Sequence, residues 1–534
     1  MKPIGNLELG FRDAENYKRR ENKEMLNRLF VHTRALEEVL DTGRYFLVGE
    51  KGTGKTAYSL YLTNNNYHEV AASLKFIRET EYQKFLELKR SQNLVLSDYT
   101  NIWKTIICIL LAEEISAKEG KVFWSAFTRF GNLKAAIDEY YAHAFTPEII
   151  NAIQVVEESA KAAGILAKYA KLSGEAKESI SFSETRFQTN LLYIQRHLED
   201  ALRSLKLPKH HLLFIDGIDI RPSDIPYPEY LECVKGLANA VWSLNNDVFA
   251  NIKDSKGRLR VMLLIRPDIF DSLGLQNMNS KMRDNSVILD WGTTYKEHRR
   301  SNLFVVTDRL LASQQEVKLP QGAAWDHYFP FDASNVHETM QVPTSFITML
   351  RRSLYRPRDI LSMLQILREN FISEGKNENQ VFTEADFLSP AFTRKYSDYL
   401  LGEVKDHISF YYASGDYELL LKFFQFLNGR SRFTYSEYLV AYSAYEDFIS
   451  RGAFQKPRFC GSPDEFLQFL YELNVISYIL DTDDGPFFGF CFRERTPSYL
   501  SPKVRSHARY DVHYGLMKAL DLGLHFRNKG PGIH

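Results

Sequence analysis

The eight residues Gly49-Glu50-Lys51-Gly52-Thr53-Gly54-Lys55-Thr56 set three glycines, two lysines and two threonines between an apolar tetrad at 45–48 and a helix-competent run at 57–62. A strand must turn tightly into a helix here. Glycines let the backbone approach a ligand closely, and the helix that follows offers unbonded N–H groups at its start. The pattern G-x-x-x-x-G-K-[ST] therefore predicts a P-loop. Residues 49–54 would cradle phosphates through main-chain N–H groups, Lys55 would reach the β and γ oxygens, and the Thr56 hydroxyl would bind magnesium. ATP and Mg2+ are the expected cofactors.

A loop of this kind needs a second element, an apolar strand ending in a carboxylate on the metal side, and Leu212-Leu213-Phe214-Ile215-Asp216 supplies one. Gly217 follows, where many hydrolysing P-loop proteins carry Glu, so binding is better founded than hydrolysis. Asp219 is the nearest carboxylate that would orient an attacking water, or else it caps the turn before Pro222. Arg266 ends the apolar run 261–265 and is placed to sense a γ-phosphate, or to pair with Asp268. Arg356 and Arg358, in Tyr355-Arg356-Pro357-Arg358-Asp359, would bring guanidinium groups to phosphate from a lid, or would lie on a solvated turn. Arg299, Arg300 and Arg309 are weaker candidates for arginine fingers acting across a subunit boundary.

Strand-like runs at 45–48, 211–215, 260–265 and 286–289 alternate with helix-patterned stretches, which predicts an α/β core with a parallel sheet. Residues 1–40 would flank the nucleotide site and 41–310 would form the ATPase core. A helical insertion is expected at about 76–205, with helices at 99–117 and 153–172. Residues 311–400 would form a helical lid containing a helix over 353–369. From 401 to 520, helices near 416–427 and 434–449 precede a third opened by Ser462-Pro463-Asp464-Glu465, a capping-box start with Pro at the first helical position. Strand-like runs 475–480 and 487–493 then flank the turn Asp483-Asp484-Gly485, so the region reads as winged-helix-like, and 521–534 as a tail.

Composition narrows the classes. The 534 residues exceed what one hydrophobic core organises, and 37 Phe with 30 Tyr exclude a disordered chain. The 67 basic residues balance 67 acidic ones, so no global field favours nucleic acid or an anionic membrane. Apolar runs such as 106–112 fall short of the ~20 residues of a membrane span, and no signal peptide is recognisable. Four distant cysteines, Cys108, Cys233, Cys460 and Cys491, suit a reducing compartment, with the cytoplasm expected, and read as core filler. Residues 493–534 hold eight Lys or Arg against three Asp or Glu, which leaves DNA open as a partner, yet the helix after Ser462 carries Asp464, Glu465 and Glu472 and no base. His513 reads as a packed histidine, and no His or Cys spacing suggests a transition metal.

With these residues in hand, the chain resembles the AAA+ and STAND group of P-loop ATPases, whose second motif often reads apolar strand, Asp, small residue, apolar residue, Asp, here Asp216-Gly217-Ile218-Asp219. STAND proteins commonly continue with an acidic residue where this chain has Ile220. More narrowly, five motifs in order look like those of prokaryotic and prophage-borne FunZ-like ATPases. They are Leu9-Gly10-Phe11-Arg12-Asp13-Ala14-Glu15, the P-loop, Asp284-Asn285-Ser286-Val287-Ile288-Leu289-Asp290-Trp291, Arg356-Pro357-Arg358-Asp359, and Tyr510-Asp511-Val512-His513-Tyr514-Gly515-Leu516. The resemblance implies a role in phage defence or superinfection exclusion, with ATP-dependent assembly into a homo-oligomer or onto a partner protein. It also implies that the segment of Phe11 and Asp13 lies against the nucleotide base. Three other readings compete with an ATPase switch: a DNA-transaction ATPase resembling origin-recognition or helicase-loader proteins, a non-hydrolysing ATP-bound scaffold, and a small-molecule kinase.

Overall fold

The structure, a computed structural model, describes residues 1–77, 96–123, 195–196, 198–200, 202–203, 205–218, 220–221, 225–273, 284–334, 336, 341–376, 381–483, 485–494 and 504–523. It divides into two compact units. One comprises His32–Lys51 and Lys55–Leu289; the other comprises Met1–Val31, Gly52–Gly54 and Asp290–His534.

The first unit is α/β. Five strands, β1 (Phe46–Val48), β2 (Val70–Phe76), β3 (His210–Asp216), β4 (Leu259–Ile265) and β5 (Ser286–Ile288), form a parallel sheet in the order β2-β3-β4-β1-β5. The four strands legible as apolar runs are all present. β4 is buried at every residue, as a strand covered on both faces should be. β2 was not visible in the sequence, because Ala71, Ala72 and Ser73 lack the β-branched or aromatic signature and its register comes from pairing with β3. Helix Lys55–Asn64 leaves the loop after β1. Helix Leu96–Phe123 covers the expected helix at 99–117 and packs on helix Tyr227–Ser243, with the Trp103 indole N–H donating to the Cys233 carbonyl at 3.2 Å. The expected helix at 153–172 lies outside the described residues.

In the second unit, helices Asn302–Ala312, Pro357–Ser373 and Pro390–Tyr411 share a core with helices Ser414–Gln425, Tyr435–Arg451 and Pro463–Glu472. The helix expected from 353 starts at Pro357 instead. The residue before a proline is pushed out of the helical region, and Arg356 is extended at φ −117°, ψ 141°. Four strands, β6 (Arg432–Thr434), β7 (Ile476–Thr482), β8 (Gly485–Gly489) and β9 (Arg509–Val512), form an antiparallel sheet in the order β6-β9-β7-β8. The expected hairpin is the β7–β8 pair, closed where Thr482 faces Gly485. Its second strand ends at Gly489 rather than running to 493: Phe492 N–H donates to Asn474 Oδ1 at 2.8 Å, a side-chain acceptor in place of a strand partner, and Cys491–Glu494 is helical. Much of the aromatic content fills this core, where the Phe423 ring meets Phe466 edge-on at 4.8 Å and Tyr445 at 5.6 Å.

All four cysteines are buried, and none is in a disulfide. No described helix is long and apolar enough to cross a membrane.

Candidate functional site

In the first unit, parallel pairing brings the ends of three strands to one edge of the sheet. Val48 faces Ile265, and Ile215 faces Leu263, so Gly49, Arg266 and Asp216 emerge from β1, β4 and β3 at the same edge. Open α/β sheets bind ligands at the carboxyl ends of their strands. Gly49 N–H donates to the Ile265 carbonyl at 3.1 Å, which anchors the start of the loop. At its far end Lys55 is buried at the first position of its helix, and its ammonium donates back to the carbonyls of Gly49 at 2.8 Å and Glu50 at 3.3 Å.

The side chain of Thr56, one residue on, reaches β3. Its hydroxyl donates to Asp216 Oδ2 at 2.6 Å, while Asp216 Oδ1 accepts the Gly217 N–H at 2.8 Å. A hydroxyl and a buried carboxylate facing each other are hard oxygen donors of the kind magnesium takes, so the residues present fit the expected ion. Sequence reasoning paired these two across 160 positions, and the structure brings them together.

Gly217 explains an oddity of the sequence. Its φ is +91°, a region that side chains rarely adopt, and a methyl group there would overlap the backbone carbonyl of Ile77, whose own N–H donates to Asp216 O at 2.8 Å. The position directly after Asp216 is closed to any side chain, a glutamate included. Asp219 lies outside the described residues. Arg266 is buried and grips Asp268 through two guanidinium nitrogens, with Nε to Oδ1 at 3.0 Å. The pairing with Asp268, one of the two roles expected of it, is formed.

The tip of the loop, Gly52–Gly54, clusters with the second unit. Gly52 (φ +88°) and Gly54 (φ +97°) both need glycine's freedom. The Gly52 carbonyl accepts the backbone N–H of Arg358 at 3.3 Å, and the Thr53 carbonyl accepts the indole N–H of Trp291 at 3.0 Å. Arg358 also donates through Nε to the Arg12 carbonyl at 3.1 Å and lies 3.7 Å from Glu403.

The segment of Phe11 and Asp13 belongs to the same unit. Phe11 N–H donates to the Tyr17 hydroxyl at 3.0 Å, with the rings edge-on at 5.3 Å, and Asp13 caps the turn Ala14–Lys18 by accepting from Glu15 N–H. Gln365 ties this segment to helix Pro357–Ser373, accepting from Arg12 Nε at 2.6 Å and donating to the Gly10 carbonyl at 2.8 Å.

Arg356 is buried, not on a solvated turn. It binds Asp359 through Nη2 at 2.6 Å and Nε at 3.0 Å, and Glu403 through Nη1 at 3.2 Å. Burial disfavours its charge, but Asp359 and Glu403 more than offset this, so the guanidinium holds its proton more tightly than usual. Among the finger candidates, Arg299 is taken up by a bidentate pair with Asp326 at 2.7 Å, whereas Arg300 and Arg309 are exposed.

Sequence reasoning missed the roles of Trp291, Glu403 and Ile77. Each acts through a partner far away in the chain, and no local pattern marks such a pairing. No family model matches the chain, and no curated protein matches it.

Proposed function

We propose that the chain is an ATP-binding, magnesium-dependent switch of the AAA+/STAND type, built on a P-loop core. The observation that carries this reading is the 2.6 Å contact between Thr56 Oγ1 and Asp216 Oδ2, at the edge of the sheet where the glycine-rich loop begins. Magnesium bound there would neutralise phosphate charge. The chain's own residues do the rest. Lys55 exchanges its carbonyl partners for phosphate oxygens, the loop N–H groups hold the triphosphate, and Asp216 orients the Thr56 hydroxyl.

Hydrolysis is the slow part of the switch. With the position after Asp216 closed to a carboxylate, water activation falls to Asp219, which also keeps the non-hydrolysing scaffold in contention. The C-terminal portion supports a winged-helix reading through its order of helix Ser414–Gln425, β6, helices Tyr435–Arg451 and Pro463–Glu472, and the β7–β8 hairpin. Helix Pro463–Glu472 exposes Asp464 and Glu465, poor chemistry for approaching DNA phosphates, so a protein contact or self-assembly is preferred to a DNA transaction. The defence role rests on the resemblance in motif order.

The test is calorimetric titration of ATP with magnesium, beside Lys55→Ala and Asp216→Asn, with turnover measured in parallel for wild type and Asp219→Ala. Binding by wild type that both loop-side variants lose supports the switch. A wild type that binds no nucleotide ends the reading.

A further inference from the structure

Two carbonyls at the tip of the loop are held by donors from elsewhere in the same unit, and this fixes more than their own direction. In a trans peptide the C=O and the next residue's N–H point opposite ways across one plane. The Gly52 carbonyl shares its plane with Thr53 N–H, and the Thr53 carbonyl shares its plane with Gly54 N–H; no peptide here is cis. Arg358 N–H on the first carbonyl and the Trp291 indole on the second therefore turn the Thr53 and Gly54 N–H groups away from those partners. Left-handed backbone at Gly52 and Gly54 brackets the pair, which suits a concave set of N–H donors for an anion.

We propose that Trp291 is the positioning residue of the phosphate cradle: its indole N–H, by holding the Thr53 carbonyl, keeps the Gly54 N–H directed at the anion before the ligand arrives. This rests on the nucleotide reading and adds a residue to it. Were the 53–54 peptide to flip, its carbonyl would face the phosphate, replacing a favourable dipole with a repulsive one. Glycine on one side of that peptide makes flipping easy, so an external restraint is needed. Trp291 suits this role because its ring is buried in the hydrophobic core of the unit while its one polar atom reaches the loop. Phenylalanine would fill much of the space and hold nothing. Trp291 touches no phosphate itself, so its effect is on binding through preorganisation.

The experiment is titration of wild type, Trp291→Phe and Trp325→Phe with ATP and with inorganic tripolyphosphate, each with magnesium. Trp325 is the structural control: it is a buried tryptophan of the same unit whose indole donates to Ser345 Oγ at 2.8 Å, not to the loop. Losing one hydrogen bond predicts that Trp291→Phe binds both ligands about three- to tenfold more weakly. Trp325→Phe should lower the melting temperature and leave both affinities unchanged. Equal binding by Trp291→Phe and wild type overturns the proposal while leaving the nucleotide reading standing, and so do equal losses in the two variants. A wild type that binds neither ligand sinks both. If Trp291→Phe does not fold, hydrogen exchange of the Trp291 indole in the wild type decides: protection without ligand is expected, and free exchange overturns the proposal.

Discussion

Replacing Asp359 by asparagine changes one atom of a residue with no exposed surface, and the structure says what that costs. The carboxylate accepts four groups: Leu354 N–H at 2.9 Å, the Tyr399 hydroxyl at 2.9 Å, and Arg356 Nε and Nη2 at 3.0 and 2.6 Å. An amide nitrogen must then face donors from Arg356 or Leu354, whichever way it turns. Arg356 meanwhile loses the closer of its two carboxylate contacts, the other being Glu403 at 3.2 Å, in a buried site. Breaking a buried ion pair from one side costs about 3–5 kcal/mol, because the remaining charge stays desolvated. In a unit of this size that lowers the melting temperature by roughly 6 °C or more. Differential scanning fluorimetry and urea unfolding of ligand-free Asp359→Asn would measure it. A loss below about 1 kcal/mol would refute the reasoning, since it would mean that the cluster is hydrated like a surface pair.

Three further perturbations have definite outcomes. Gly217→Ala combines φ +91° with overlap of the Ile77 backbone and should cost at least about 2 kcal/mol in urea unfolding, so wild-type stability would contradict the closed position. His513 is held neutral by burial, with its value down from 6.5 to about 4 although a Ser353 backbone bond and Asp359 favour the charge. The unfolded chain then binds the extra proton, so the stabilisation is complete above pH 6.5 and is lost as pH falls towards 4. The loss is roughly 3 kcal/mol in all, and His513→Gln should flatten that part of a stability–pH curve. Arg493 stacks at 4.6 Å on both Tyr355 and Phe490 and donates to the Tyr355 hydroxyl, so Arg493→Ala should lower the melting temperature by the equivalent of about 1–2 kcal/mol, and no shift would show those contacts to be idle.

What the sequence disclosed follows the range of the interaction. β1, β3 and β4 announce themselves because strands buried inside a parallel sheet are mostly apolar, β5 at the sheet edge shows only as a short run with Ile288 exposed, and the loop stands out as the spaced pattern G-x-x-x-x-G-K-[ST]. Asp216 was singled out in the same way, as the carboxylate that ends an apolar strand, and it accepts the Thr56 hydroxyl at 2.6 Å. β2 was not found, since its strand character comes from its neighbour rather than from Ala71 and Ala72. The start of the helix at Pro357 was legible in principle from the proline itself, whereas the closure of position 217 was not, because it depends on where Ile77 passes. Trp291 carries its partner 238 residues away, at Thr53.

The two arginines of one turn illustrate how burial separates residues that sequence makes equivalent. Arg356 could turn towards an anion only by leaving a carboxylate with no exposed surface, which would strand Asp359 at a cost of several kcal/mol. Arg358 is held far more lightly. Its side chain is 23% exposed, its ion pair with Glu403 spans 3.7 Å, and its remaining side-chain partner is the carbonyl of Arg12. A pair so spaced and partly solvated contributes at most about 1 kcal/mol, less than a charge-assisted bond to phosphate returns. Its backbone N–H, already on Gly52, is unaffected by where the guanidinium goes. An anion at Gly52–Gly54 would therefore recruit Arg358 and leave Arg356 in place, and the same Glu403 that loses one arginine would remain neutralised by the other.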